Sequence, residues 1–241
     1  MRLILTAAPM LNNQMATNLT TVTTLAYKYQ HQGIDFLCFG EAYLQGFDGL
    51  TWTAATDYER AITLTSQELQ ALQQLARTCE LGLALGYYEK ENTKIYSAYV
   101  VIDATGNILG NYRRISRGWK IATADNQIYR HHDSQVVSFD YRGKKVGLGL
   151  CGDFWVNPQL FAAEKADMYL WPVYTDYSVA TWQESARGEY AAQAQLVGEN
   201  VCLINSFCLE KGALGGSTYF KAGKIFQELP LGEVGELLVE V

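Results

Sequence analysis

The stretch Lys145 to Pro158, K-V-G-L-G-L-C-G-D-F-W-V-N-P, constrains the chain more than any other. An apolar run of Val, Leu and Gly, with charge before it and Pro after it, predicts a short buried strand over Val146–Leu150 that ends on Cys151. A thiol at a strand end, between Gly149 and Gly152, is open to a ligand's close approach and has the setting of a nucleophile. Packing competes with that reading, because free cysteine is among the most buried residue types.

The flanking sequence predicts strands and helices in alternation at both ends. Strands are expected at Arg2–Thr6 and Ile34–Phe39, with a helix from about Asn18 to His31 between them. Thr65, with Glu68 three residues on, predicts the capping box of a second helix that runs to Cys79. The middle instead carries consecutive strands at Leu81–Tyr88, Tyr96–Asp103 and Ile108–Tyr112, and Val136–Phe139 precedes the Cys151 strand. A short helix over Gln159–Ala166, a strand at Asp167–Pro172, a long helix from about Thr181 to Glu199 and a strand at Val201–Asn205 complete the pattern. This order predicts an α/β fold with a mixed sheet sandwiched by helices, in one domain over residues 1–241.

Composition narrows the function. The net charge of −6 and the lack of a dense Lys/Arg block argue against a nucleic-acid or membrane surface and favour neutral or cationic small molecules. The apolar run at the N-terminus is too short for a signal-peptide core, so a cytoplasmic location is expected. The five cysteines include no C-x-x-C pair, which predicts free thiols and no thiolate zinc site. No metal or organic cofactor is expected.

The three histidines, His31, His131 and His132, all precede Cys151. Papain-like and glutamine-amidotransferase sites place the histidine after the cysteine, so the base for Cys151 is expected to be a carboxylate. Glu41 ends the apolar strand F-L-C-F-G-E, where burial of a carboxylate is costly without a partner or a task. The cations nearest before Cys151 are Arg113, Arg114, Arg117 and Lys120, a run that reads equally as a solvated patch.

Glu41, the run Y-R-R after G-N-I-L-G, and C-G-D at a strand end occur in an order that resembles the nitrilase superfamily of carbon-nitrogen hydrolases. The segments L-I-L-T-A-A-P, A-Y-L-Q-G-F, G-Y-Y-E-K and L-G-G-S-T-Y-F extend the likeness nearly end to end. The resemblance implies an αββα sandwich, a homodimer or higher homo-oligomer, and a Glu–Lys–Cys triad with Glu41 as base and Cys151 as nucleophile. It also implies hydrolysis of a small-molecule amide, or of a nitrile, through a thioester.

Three departures matter. Arg114 stands where the family has its catalytic Lys, so Lys120, beyond a turn at Gly118, is the favoured cation and Arg114 an anion-binding neighbour. Asp125 is the nearest match to a second carboxylate. Gly152 replaces the aromatic that follows the cysteine; its N–H is an expected oxyanion donor, and Trp155, Tyr174, Tyr177 and Trp182 are candidate pocket rings. The Lys-to-Arg change also admits a catalytically impaired binding or scaffold protein of the same fold.

Overall fold

The computed structural model describes residues 1–133 and 136–241. The first sheet contains β1 (Arg2–Ala7), β2 (Phe36–Cys38), β3 (Gly82–Glu91), β4 (Lys94–Ile102) and β5 (Ile108–Arg113). The second contains β6 (Val137–Tyr141), β7 (Lys144–Leu148), β8 (Met168–Val173) and β9 (Asn200–Asn205). A short hairpin, β10 (Phe207–Cys208) with β11 (Ala213–Leu214), leads to β12 (Ser217–Lys221), β13 (Lys224–Leu229) and β14 (Gly235–Glu240). Strand orders are β14-β1-β2-β3-β4-β5 and β13-β12-β9-β8-β7-β6. Parallel and antiparallel neighbours occur in both sheets, so each is mixed.

Residue alternation explains the layers. Leu3 and Leu5 of β1, with Phe36 and Cys38 of β2, join Val146 and Leu148 of β7 in the core between the sheets. Their neighbours Ile4 and Leu37 face the other way. There they meet Val22 and Ala26 of α1 (Met15–Tyr29) and Leu69, Leu72 and Ala76 of α3 (Gln67–Cys79). On the far side, α5 (Pro158–Ala163) and α7 (Arg187–Val197) contribute Phe161, Tyr190, Ala194 and Val197 to the layer covering the second sheet. The result is the αββα sandwich of two mixed sheets flanked by helices.

Several boundaries differ from the sequence reading. The cap of α3 is Ser66, whose hydroxyl accepts from the Leu69 N–H, rather than Thr65. The expected long helix at Thr181 is a short turn α6 (Val179–Thr181), a π-helical turn over Trp182–Ala186, and α7. Helix α2 (Ala54–Arg60) carries few apolar residues and gives no periodic signal. Among the described residues no helix is long and apolar enough to cross a membrane.

One carboxylate ties the sandwich to the Cys151 turn. Asp153 opens the short helix α4 (Asp153–Val156) and is fully buried. Its Oδ2 accepts from the Tyr112 hydroxyl at 2.6 Å and the Leu150 N–H at 3.0 Å; its Oδ1 accepts from the N–H groups of Ser116 at 2.7 Å and Ile115 at 3.2 Å. These bonds join β5 and the segment after it to the end of β7, across the two sheets. Removing such an acceptor leaves several buried donors unsatisfied. Asp153→Ala is therefore expected to lower stability by about 3 kcal/mol, read as an earlier urea midpoint at an unchanged slope.

Candidate active site

Strand β8 places two key residues through successive carbonyls. The Cys151 N–H donates to the Pro172 carbonyl at 3.0 Å, and the Glu41 N–H to the Val173 carbonyl at 3.4 Å. Strand β2 belongs to one sheet and β8 to the other, so β8 serves as the common rail on which a carboxylate and a thiol from opposite layers meet. Close approach is possible because Gly40 has no side chain: a Cβ there would lie 2.4 Å from the Ser206 hydroxyl. Gly86 of β3 does the same for the turn after Glu41, since its Cβ would lie 2.3 Å from the Ala42 nitrogen.

Cys151 has φ of +42°, in the left-handed region that residues other than glycine seldom adopt. Such strain persists only where the surroundings impose it. Here the Pro172 bond on its N–H, the Trp171 indole donating to its carbonyl at 2.8 Å, and the Asp153 network on the next turn impose it. The residue is half-buried, whereas Cys38, Cys79, Cys202 and Cys208 are buried. Its thiol lies 3.9 Å from the Tyr174 carbonyl.

Glu41 and Arg114 are both buried and form an ion pair, Arg114 Nη1 to Glu41 Oε1 at 2.8 Å. The Ser97 hydroxyl donates to the same oxygen at 2.9 Å, and the Ser97 carbonyl accepts the Arg114 N–H at 2.9 Å. Ser116 fixes the other edge of the guanidinium, its hydroxyl accepting from Nε at 2.8 Å. Glu41 Oε2 is buried and has no hydrogen-bond partner among the described residues. No described residue accepts from the Gly152 N–H.

Electrostatics follow from this burial. Burial pushes the Cys151 thiol up to about 11 against the opposing pull of Arg114. Burial likewise raises the Glu41 carboxyl above its ordinary value, opposed by the Arg114 charge and the two hydrogen bonds. Burial disfavours the charge on Arg114, but Glu41, Cys151 and Asp153 outweigh it, and the guanidinium is held cationic. Glu41 and Arg114 are thus close enough to Cys151 for their charges to act on its thiol.

The other expected residues divide. The favoured cation, Lys120, is engaged by other groups: its ammonium donates to Asn126 Oδ1 at 2.6 Å and the Tyr129 carbonyl at 2.7 Å, whereas Arg114 lies beside Glu41. The preceding Trp119 is buried with Tyr88, Tyr129 and Trp52, which anchors this segment. Asp125 is exposed, and its carboxylate closes a local turn by accepting the Gln127 N–H.

Tyr174 offers its carbonyl rather than its ring, which stacks on Phe47 at 4.4 Å. Trp182 is core, packed on Tyr190, and Tyr177 packs against both. Trp155 lines a cavity of about 530 Å³ together with Arg114, Ser116, Arg117, His131 and Gly152. Ser97 and Ser116 carry no sequence signal, since a serine in a strand or a loop has no distinguishing local pattern; Asp153 stands in the C-G-D run, but the pattern does not show its structural role. Among the described residues no group of three or more His, Cys, Asp or Glu side chains could hold a metal ion.

Comparison with known proteins agrees with this architecture. An amidase from Nesterenkonia sp. superposes with a TM-score of 0.80 at 18% identity, covering 100% of this chain and 90% of that one. The arylacetone-specific nitrilase of Alcaligenes faecalis is 26% identical over 204 residues, which are 79% of this chain and 56% of that protein. The citrullinase of Francisella tularensis is 27% identical over 128 residues, 49% of this chain and 45% of that protein. The chain thus spans about half the length of these curated relatives. The carbon-nitrogen hydrolase family profile matches residues 5–203, and the chain belongs to that family.

Proposed function

We propose that the protein hydrolyses a non-peptide C–N bond of a small molecule, amidase-type, with Cys151 as nucleophile, Glu41 as base and Arg114 as the cation. The observation that carries this reading is the buried Glu41–Arg114 pair beside Cys151, with one carboxylate oxygen left without a partner. A buried carboxylate oxygen without a donor is costly, and a thiol or substrate proton is what satisfies it.

The form competent for attack holds a thiol, a carboxylate and a guanidinium. Glu41 takes the thiol proton as the sulfur attacks the amide carbonyl, and the new oxyanion is held by the Gly152 N–H and Arg114. Collapse breaks the C–N bond; Glu41 returns the proton to the departing ammonia or amine, leaving a thioester on Cys151. Water then gives its proton to Glu41, attacks the thioester and releases the acid with the thiol restored. Arg114 keeps its proton throughout, so it acts as a fixed donor and Glu41 carries every proton.

Arginine in this place has a steric requirement. A Cβ at position 152 would lie 2.8 Å from Arg114 Nη2 and 3.0 Å from the Ser116 hydroxyl. The broad guanidinium therefore occupies space that a side chain after the cysteine would fill, and Arg114, Ser116 and Gly152 depend on one another. A binding-only role is the second reading, favoured by the thiol's high pKa.

Butyramide is a suitable first substrate, because a mutant of the amidase from Nesterenkonia sp. AN1 has been solved in complex with it. Ammonia release is expected to fall by about 10³-fold or more in Cys151→Ala and Glu41→Gln, and by about 10²-fold in Arg114→Met; a folded wild-type protein that hydrolyses no short amide supports the binding-only reading. A protonated Glu41 cannot accept the thiol proton, so kcat/KM should fall as pH drops through an apparent pKa above 4.5. Ser97→Ala removes a hydrogen bond that lowers this pKa, so the acid limb should move further up. Gly152→Ala should cost the wild type about tenfold or more and cost Arg114→Lys less, since the slim ammonium avoids the new Cβ; equal costs in a double-mutant cycle would remove the steric coupling.

A further inference from the structure

The cavity over Arg114 and Gly152 bears on the choice of substrate. It holds about 530 Å³, within the range of small-molecule sites, and its floor is the guanidinium and the residue after the nucleophile. Ile115, Trp155 and Val156 supply apolar wall, and Arg117 and His131 the remaining polar lining. Among the described residues no carboxylate lines it.

Its charge runs against that of the whole molecule. The chain carries −6, yet Arg117, Lys120 and Arg130 gather around His131 and act on it together. Arg117 and Arg130 also act on the Lys120 ammonium. None of these three cations forms an ion pair among the described residues, in contrast to Arg113, which pairs with Glu89 and Glu91. Asp133, which is exposed, is the acidic group that offsets them at His131. Arg114 is already matched by Glu41, so the uncompensated charge lies at the rim with Arg117.

A cluster of like charge offset by one exposed carboxylate makes a local field that attracts an anion to this rim of an acidic protein. An arginine fork takes a carboxylate through two parallel hydrogen bonds, and the neighbouring indole face covers the aliphatic part of such a ligand. Accepting the hydrolase reading above, on which this step rests, we propose that the substrate is an amide bearing a carboxylate, which Arg117 holds at the cavity rim while the amide carbonyl lies over Gly152 and Arg114. The net charge by itself favours neutral or cationic small molecules; the local field at this cavity has the opposite sign.

Three amides of matched length separate the possibilities: succinamate, butyramide and 4-aminobutyramide, which carry a carboxylate, a methyl and an ammonium at the far end. The proposal expects kcat/KM at least tenfold higher for succinamate than for butyramide, with 4-aminobutyramide lowest. In Arg117→Gln the succinamate-to-butyramide ratio should fall to about one, and high salt should compress the wild-type ratio. An equal or reversed order, or a preference that survives Arg117→Gln, overturns it. Where no amide is cleaved, the hydrolase reading fails by itself, and calorimetry on Cys151→Ala decides the subsite: tighter binding of succinamate than butyramide, lost with Arg117→Gln, supports it, and equal affinities overturn it.

Discussion

The buried ion pair between Arg114 and Glu41 is the interaction on which the rest of the site depends. Two charges taken out of water together are tolerated only if each is nearly satisfied, and removal of either leaves the other costly. Ser97 and Ser116 supply the remaining bonds on the near edges, and one carboxylate oxygen stays without a donor. That imbalance is local and lies beside the single half-buried thiol of the described residues. An unpaired charged oxygen in such a place is costly, and costly buried groups of this kind gather where chemistry is expected.

The scaffold explains how three groups distant in sequence meet. Glu41 follows a strand of the first sheet, Arg114 follows the last strand of that sheet, and Cys151 follows a strand of the second. Strand β8 offers successive carbonyls to the first and third, and Asp153 anchors the turn after Cys151 to the loop after Arg114. Because the positions come from backbone bonds, the side chains are held by rigid elements rather than by flexible loops. The glycines at 40, 86 and 152 lie where the pieces crowd, and each excludes a Cβ for a different neighbour.

Much of this was legible in the sequence. The apolar strands ending on Glu41 and Cys151 gave the elements their period, the alternation of strands and helices gave a mixed sheet covered by helices, and the family resemblance implied the second sheet. The cation was not legible: Arg114 and Lys120 lie on one short basic run, and the choice between them rests on which side chain reaches Glu41, a tertiary fact. Asp125 is ambiguous for the same reason, since a carboxylate that closes its own turn reads like one that reaches a site. The glycine after the cysteine looked like a missing aromatic; with the structure it is the space that the wider cation needs.

The central claim is that Cys151 carries the acyl group with Glu41 moving its proton. Acid quenching during butyramide turnover, followed by peptide mass mapping, tests it most directly. The account predicts a butyryl thioester on the Cys151 peptide in the wild type and its loss in Glu41→Gln. Steady hydrolysis with no acyl group on that peptide, or with the acyl group on another residue, would contradict it.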